Sequence, residues 1–352
     1  MEPCSACEAF SFKGSAVTVG EILRAAHTLG ALEPSASQLA WEVACEDEAD
    51  GAGLEADEAS VDSMVEQFRY DRDLESAEET EAWLDMRGLT ADDLQSYFTR
   101  LYWWKTLKEK VAPVPYEAER VDSELLDALA AELLISGGLV PLAVEFSRRL
   151  VARDGSETRV EPGLVEQERA RFLERAGVGP EDLPGWLAAL DRDQDWFDGM
   201  LEMEVKYRIR CDAALAPEQL SRGLAAARLP LTRLKIERVE FDTVDAAREA
   251  LLCVRDDDLT LEDVARETRY PFERLEVYAE DLPDDQRQRF LCAKIGELQG
   301  PTPAEGMFRV SCLLARSEPA LADPLVRLRI ERRILNAHFS EAGAELVRWR
   351  IL

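Results

Sequence analysis

From Val19 to about Glu48 the apolar residues Ile22, Leu23, Ala26, Leu29, Leu32, Leu39, Trp41 and Val43 recur at helical spacing, broken at Gly30 and at Glu33-Pro34-Ser35. That pattern predicts a helical hairpin or a pair of helices. Glu46 to Glu58 carries too few apolar side chains to bury and reads as an exposed acidic loop. A third helix is expected from about Val61 to Arg72. Ser76 followed by Glu79 has the spacing of a capping box and opens a helix that carries Trp83 and Leu84 and ends at Gly88. Thr90, with Asp92 and Asp93 behind it, caps the next helix, whose buried stripe is Leu94, Tyr97, Phe98, Leu101, Trp104 and Leu107. Val111-Ala112-Pro113-Val114-Pro115-Tyr116 forbids helix continuation and predicts an extended linker.

A second helical stretch starts at Asp122, and its wording echoes the first. Val65-Glu66-Gln67 returns as Val165-Glu166-Gln167, and Trp83-Leu84 as Trp186-Leu187. Leu94, Tyr97 and Phe98 find a counterpart in Trp196, Phe197 and Met200. Each stretch closes on cations, Lys105, Lys108 and Lys110 in one and Lys206, Arg208 and Arg210 in the other. Either an internal duplication or convergent helix-hairpin patterning produces such echoes.

After Pro230 the period changes. Leu234, Ile236, Val239 and Phe241 alternate with charges in a half-buried strand over 231–241. Helices follow over 244–254 and 259–267, a short strand over 272–278, a helix over 284–291, a turn-rich stretch over 296–306 and an apolar strand over 307–314. A helix over 324–342 and a strand over 346–352 close the chain. The order β, α, α, β, α, β places the first and last strands near each other. The fold class is therefore α+β: two helical units, 1–112 and 122–229, joined by a linker at 113–121, then an α+β domain at 230–318 and a terminal helix and strand at 319–352.

Composition narrows the chemistry. With 42 Lys and Arg against 71 Asp and Glu, the formal charge of −29 repels phosphate backbones and anionic headgroups, so neither nucleic acid nor a membrane is expected as a partner. A helix-turn-helix likeness at 260–268 lacks a basic recognition helix. Only two histidines occur, His27 and His338, which removes multi-histidine metal sites and most hydrolase templates. Cys4-x-x-Cys7 has no matching second pair, so no metal, cofactor or disulfide is expected. The first residues show neither the basic nor the apolar region of a signal peptide, which points to the cytoplasm. Tyr102-Trp103-Trp104 reads either as core packing or as a peptide-binding surface; Trp103, off the stripe shared by Leu101 and Trp104, is expected at a domain contact or in an exposed groove.

The strand Lys235 to Phe241, the helix entry Thr243-Val244-Asp245, the run Leu259 to Glu267, Glu297-Leu298-Gln299-Gly300-Pro301 and Gly306-Met307-Phe308-Arg309-Val310 together resemble a parvulin-type peptidyl-prolyl isomerase domain. The likeness covers roughly residues 230 to 318; 19–110 more loosely resembles the amino-terminal region of SurA-like chaperones. The resemblance implies a peptide cradle of Phe241, Phe290, Met307 and Phe308. It also implies catalytic histidines in the first and last strands, where this chain has Arg238 and Phe308. Arg238 is then free for an acidic residue or a terminal carboxylate. The whole is also similar to peptide-display proteins of crocagin-type ribosomal peptide pathways.

These readings lead to a non-catalytic protein that captures a precursor or unfolded peptide, by strand addition and apolar pockets, and presents it to maturation enzymes. The alternatives are an active cytosolic isomerase or general chaperone, and an assembly scaffold for partner enzymes.

Overall fold

The computed structural model describes residues 4–115, 121–155, 160–257, 259–304 and 306–351. The fold class is α+β, with two small antiparallel sheets among many helices. The chain divides into two compact units, one of residues 1–212 with 338–352 and one of residues 213–337. The helical stretches 1–112 and 122–212 thus contribute to the same unit. Residues 116–120 of the sequence-based linker lie outside the described residues.

The first unit opens with a hairpin that the helical pattern did not announce, β1 (Glu8–Phe12) and β2 (Ser15–Thr18). Lys13 and Gly14 turn it with φ of 52° and 81°, the left-handed pair that a two-residue hairpin turn requires. Both Phe10 and Phe12 are buried. Thr18 then caps α1 (Val19–Thr28) in a reciprocal box with Glu21.

α2 (Glu33–Gly51) runs six residues into the stretch expected as an acidic loop. Cys45 and Ala49, fully buried and four residues apart, give that stretch one apolar face, while its Glu and Asp residues occupy the others. The caps at Ser76 and Thr90 form as their spacing predicts, opening α4 (Ala77–Asp85) and α5 (Ala91–Leu107) behind α3 (Glu58–Tyr70). Beyond them come α6 (Ser123–Ser136), α7 (Leu139–Asp154), α8 (Pro162–Ala176), α9 (Leu183–Ala189) and α10 (Gln194–Ala214). No single helix among the described residues is long and apolar enough to cross a membrane.

The sequence echo has a counterpart in side-chain geometry. On α3, α4 and α5, Phe68 meets Trp83 edge-on at 5.3 Å and Phe98 at 5.5 Å. On α8, α9 and α10, Phe172 meets Trp186 at 5.0 Å and Phe197 at 4.8 Å. In both, one phenylalanine joins a tryptophan on the short helix to a phenylalanine on the long one, so the two stretches share a packing motif as well as residue types.

The second unit holds α11 (Pro217–Ala226) and a four-stranded sheet of order β4-β3-β6-β5, built from β3 (Arg233–Phe241), β4 (Phe272–Tyr278), β5 (Leu298–Ala304) and β6 (Met307–Ser317). The first and last strands pair over their whole length, as the strand order suggested. α12 (Val244–Asp256) and α13 (Leu261–Thr268) bury Ala247, Ala250, Leu261, Val264 and Ala265 against Val239, Phe241 and Val310. α14 (Asp284–Cys292) buries Phe290 against Leu234, Ile236 and Leu313. α15 (Pro324–Gly343) belongs to the second unit up to Ala337 and to the first from His338, where β7 (Val347–Trp349) follows it.

The stretch expected as turns over 296–306 contains an edge strand, β5, in which Pro301 and Pro303 are tolerated because one side of the strand has no partner strand among the described residues. Gly300 sits at φ 129°, and a Cβ there would lie 2.5 Å from the Arg309 carbonyl oxygen. Gly300→Ala is accordingly expected to cost about 1–3 kcal/mol, read as a shift of the urea midpoint with unchanged slope.

Candidate functional site

Strand alternation decides which of the cradle residues can meet. In β3 the even positions Leu234 and Ile236 pack towards α14, whereas Val239 and Phe241 pack towards α12 and α13. Phe308 lies directly opposite Phe241 in β6 and joins its cluster. Phe290 belongs to the cluster on the other face. The four residues therefore do not line one cradle. Phe241 is fully buried and Phe290 nearly so, as core of opposite faces, while Met307 and Phe308 remain half-buried.

Arg238, three positions from Phe241, projects from the face opposite Phe308. Its Nε donates to Glu273 Oε2 at 2.6 Å across the β3–β4 pair. The cation expected to be free for a ligand is already held by a carboxylate of its own sheet. Nearby, Arg309 Nε donates to Glu240 Oε1 at 2.9 Å. The two histidines sit in the first unit. His27, buried and stacked on Trp186 at 5.0 Å, has its pKa pushed down to about 4 by desolvation, and His338 Nε2 accepts from Arg210 Nε at 3.0 Å.

Trp103 is not in an exposed groove. It is 5% exposed and packs with Cys45, Ala49 and Leu107. The buried face of α5 shifts along its length, from Leu94 and Phe98 to Trp103 and Leu107, because the second half meets α2. Trp104 takes the outer position, edge-on to Trp41 at 5.8 Å and 4.6 Å from the Lys108 ammonium.

The open space in this region lies elsewhere on the same helices. A groove of about 730 Å³ runs between α2, α5 and α6, lined by Leu39, Val43, Ser96, Arg100 and Leu125 among others. Val114 and Pro115, in a stretch that is neither helix nor strand, form part of its wall. The Trp41 indole holds that stretch by donating to the Val111 carbonyl at 2.8 Å. Asp47 and Asp93 also line the groove.

Behind Arg100 stand two buried carboxyls. Arg100 Nη2 donates to Glu132 Oε2 at 3.1 Å, and burial, with the Glu42 charge, pushes the Glu132 carboxyl up to about 7. Glu42 is raised by desolvation too; one of its oxygens accepts from Gln38 at 2.7 Å and the other accepts no hydrogen bond among the described residues. One guanidinium thus serves two acids. In sequence these three residues looked like ordinary members of charged helix faces; only the crossing of three helices reveals them.

The Cys4 thiol is buried, donates to the Asp127 carbonyl at 3.7 Å and is pushed up to about 11, chiefly by desolvation. That places it far from thiolate chemistry at neutral pH. Among the described residues no cluster of His, Cys, Asp and Glu has the makings of a metal site.

Compared with known protein families and with curated proteins, the chain matches none. Solved structures do resemble it. A peptidylprolyl isomerase, PrsA, of Bacillus cereus is 11% identical, covers 64% of this chain and 90% of its own, and superposes with a TM-score of 0.36. The foldase PrsA of Streptococcus pneumoniae is 9% identical, with 61% and 82% covered and a TM-score of 0.24. A structure from the study of PEB4 and Cj1289, described as SurA-like chaperones of Campylobacter jejuni, is 5% identical, with 61% and 88% covered and a TM-score of 0.23.

Proposed function

We propose that the chain is a non-catalytic, chaperone-like protein of the cytoplasm that captures a ribosomally made precursor peptide and presents it to maturation enzymes. The observation that carries this reading is the groove between α2, α5 and α6, whose wall already includes a Val-Pro segment of the same chain that is neither helix nor strand. A surface that packs a non-helical, proline-containing segment of its own chain has the shape and polarity to pack another. Val43, 39% exposed on α2, is one of the apolar side chains it offers openly. Asp47 and Asp93 favour a peptide carrying lysine or arginine, and the chain's net charge of −29 adds long-range attraction.

The absence of catalysis is supported by Arg238 and Phe308. One is a permanently charged group engaged with Glu273, the other a packed hydrocarbon, and they lie on opposite faces of the sheet. Neither can pass a proton near neutral pH, nor can they act on one bound proline together.

The test is titration of a labelled peptide rich in Leu, Val and Lys into the native protein and into Val43→Arg. Native protein binds with a micromolar or lower Kd, and the variant binds at least about tenfold more weakly. Association slows as salt rises while dissociation changes little. Equal affinity of the two proteins would remove the groove from the site, and acceleration of cis/trans exchange in a proline peptide would return the chain to the isomerases.

A further inference from the structure

A second open site lies in the first unit, where β7 is the outer strand of the sheet β2-β1-β7. The register with β1 sets Phe10 opposite Trp349, Ser11 opposite Arg348 and Phe12 opposite Val347. Lys13 N–H donates to the Leu346 carbonyl at 2.9 Å, and Arg350 N–H to the Ala9 carbonyl at 3.0 Å. Even-numbered residues of β7 therefore direct their backbone groups to β1, and Val347 and Trp349 turn theirs towards the other edge, which no strand among the described residues occupies.

The side chains of Val347 and Trp349 share a face with Phe10 and Phe12, and the Phe10 and Trp349 rings are 5.0 Å apart. Beside that face is a cleft of about 510 Å³ between α7, the end of α15 and β7, walled by Val144, Val151 and Phe339. Gly343 keeps it open: a Cβ there would stand 3.3 Å from Val151 and 3.7 Å from Val347. Trp349 is 43% exposed. Among the described residues Arg148 is the one charged residue lining the cleft, and Arg348 and Arg350, both exposed, project from the opposite face of β7, Arg350 with its Nε 3.5 Å from Glu8 Oε1.

We infer that this edge takes an extended segment of another polypeptide as a fourth, antiparallel strand, with apolar residues at every second position and Asp or Glu between them. Residues facing Val347 and Trp349 would share their side of the sheet and enter the cleft. The residues between would stand opposite Arg348 and beside Arg350, where a carboxylate gains a cross-strand partner and a lysine meets like charge. Backbone pairing holds any sequence, so the alternation of apolar and acidic side chains supplies the selectivity. The site is separate from the groove and prefers the opposite peptide charge, which makes the two readings independent.

The full chain, native and with Val43→Arg to close the groove to a basic apolar peptide, is titrated with a labelled peptide of alternating valine and glutamate around a central phenylalanine and with its lysine-for-glutamate version, the two peptides being compared in the Val43→Arg protein. The glutamate peptide is expected to bind at least about tenfold more tightly, and Arg348→Glu combined with Arg350→Glu reverses the order. N-methylation of the apolar residues, whose N–H groups face β7, abolishes binding to the native protein, while N-methylation of the glutamates leaves it intact. Val43→Arg leaves this binding unchanged. Equal affinity for the two charge versions, equal sensitivity at both sets of amides, or no binding of either peptide would overturn the edge site. None of those outcomes touches the groove, which its own variant decides.

Discussion

Trp103→Ala is expected to lower the stability of the chain by about 3–5 kcal/mol, the range for truncating a large buried aromatic side chain. Trp103 is 5% exposed and fills the contact between α5 and α2, where Cys45 and Ala49 are too small to close over the space it would leave. Chemical denaturation followed by far-UV circular dichroism reads the loss. Peptide affinity, measured at a temperature where the variant is folded, should stay within about twofold, since Trp103 is not among the residues lining the groove. The opposite pairing of results, native-like stability with lost binding, would make Trp103 a contact residue and the buried position wrong.

This tryptophan marks where local pattern stops being informative. Its type says that it buries well, but which of three consecutive aromatic residues turns inward depends on the angle at which α2 crosses α5. Features decided within a few residues were readable: the capping box at Ser76 and the cap at Thr90 form as expected, because donor and acceptor are three positions apart on one helix. The nearness of β3 and β6, which pair, also followed from element order. The β1–β2 hairpin had a signal that went unused, since Phe10 and Phe12 alternate with small residues ahead of Lys13-Gly14. The acidic stretch after Cys45 misled because its charges outnumber its apolar residues, while two small buried residues at helical spacing suffice to hold it on α5.

The cradle failed for a different reason. A resemblance transfers positions one by one, but whether two positions share a face depends on counting along a strand and across a register. Arg238 and Phe241 are an odd number of residues apart, so period-two geometry already separates them. Phe290 needed the further knowledge that α14 covers the face that α12 and α13 do not. The groove was least legible of all. Leu39, Arg100 and Leu125 come from three helices spread over residues 33–136, and nothing in any one helix marks them as neighbours.

Glu132→Gln should stabilise the protein above neutral pH and have little effect in acid. In the folded chain burial and the Glu42 charge hold the Glu132 carboxyl up to about 7, against 4.5 for an ordinary glutamate. Between those values the folded state binds more protons than the unfolded one, so stability falls as pH rises through the window and the full loss is reached above about pH 7. Arg100, 3.1 Å away, offsets part of the cost of the ionised carboxylate but is shared with Glu42, which burial also raises. Tyr97 faces the same cluster and stays neutral, its hydroxyl pushed up to about 12 chiefly by desolvation. A glutamine keeps the shape and can still accept from Arg100, and it never ionises. The variant is therefore expected to exceed the native protein by about 1–3 kcal/mol at pH 8, with the difference shrinking towards zero near pH 4.5. Urea midpoints of both proteins across that range check this. A difference that stays constant with pH would mean that Glu132 is solvated in the folded chain and that α2, α5 and α6 do not close over it.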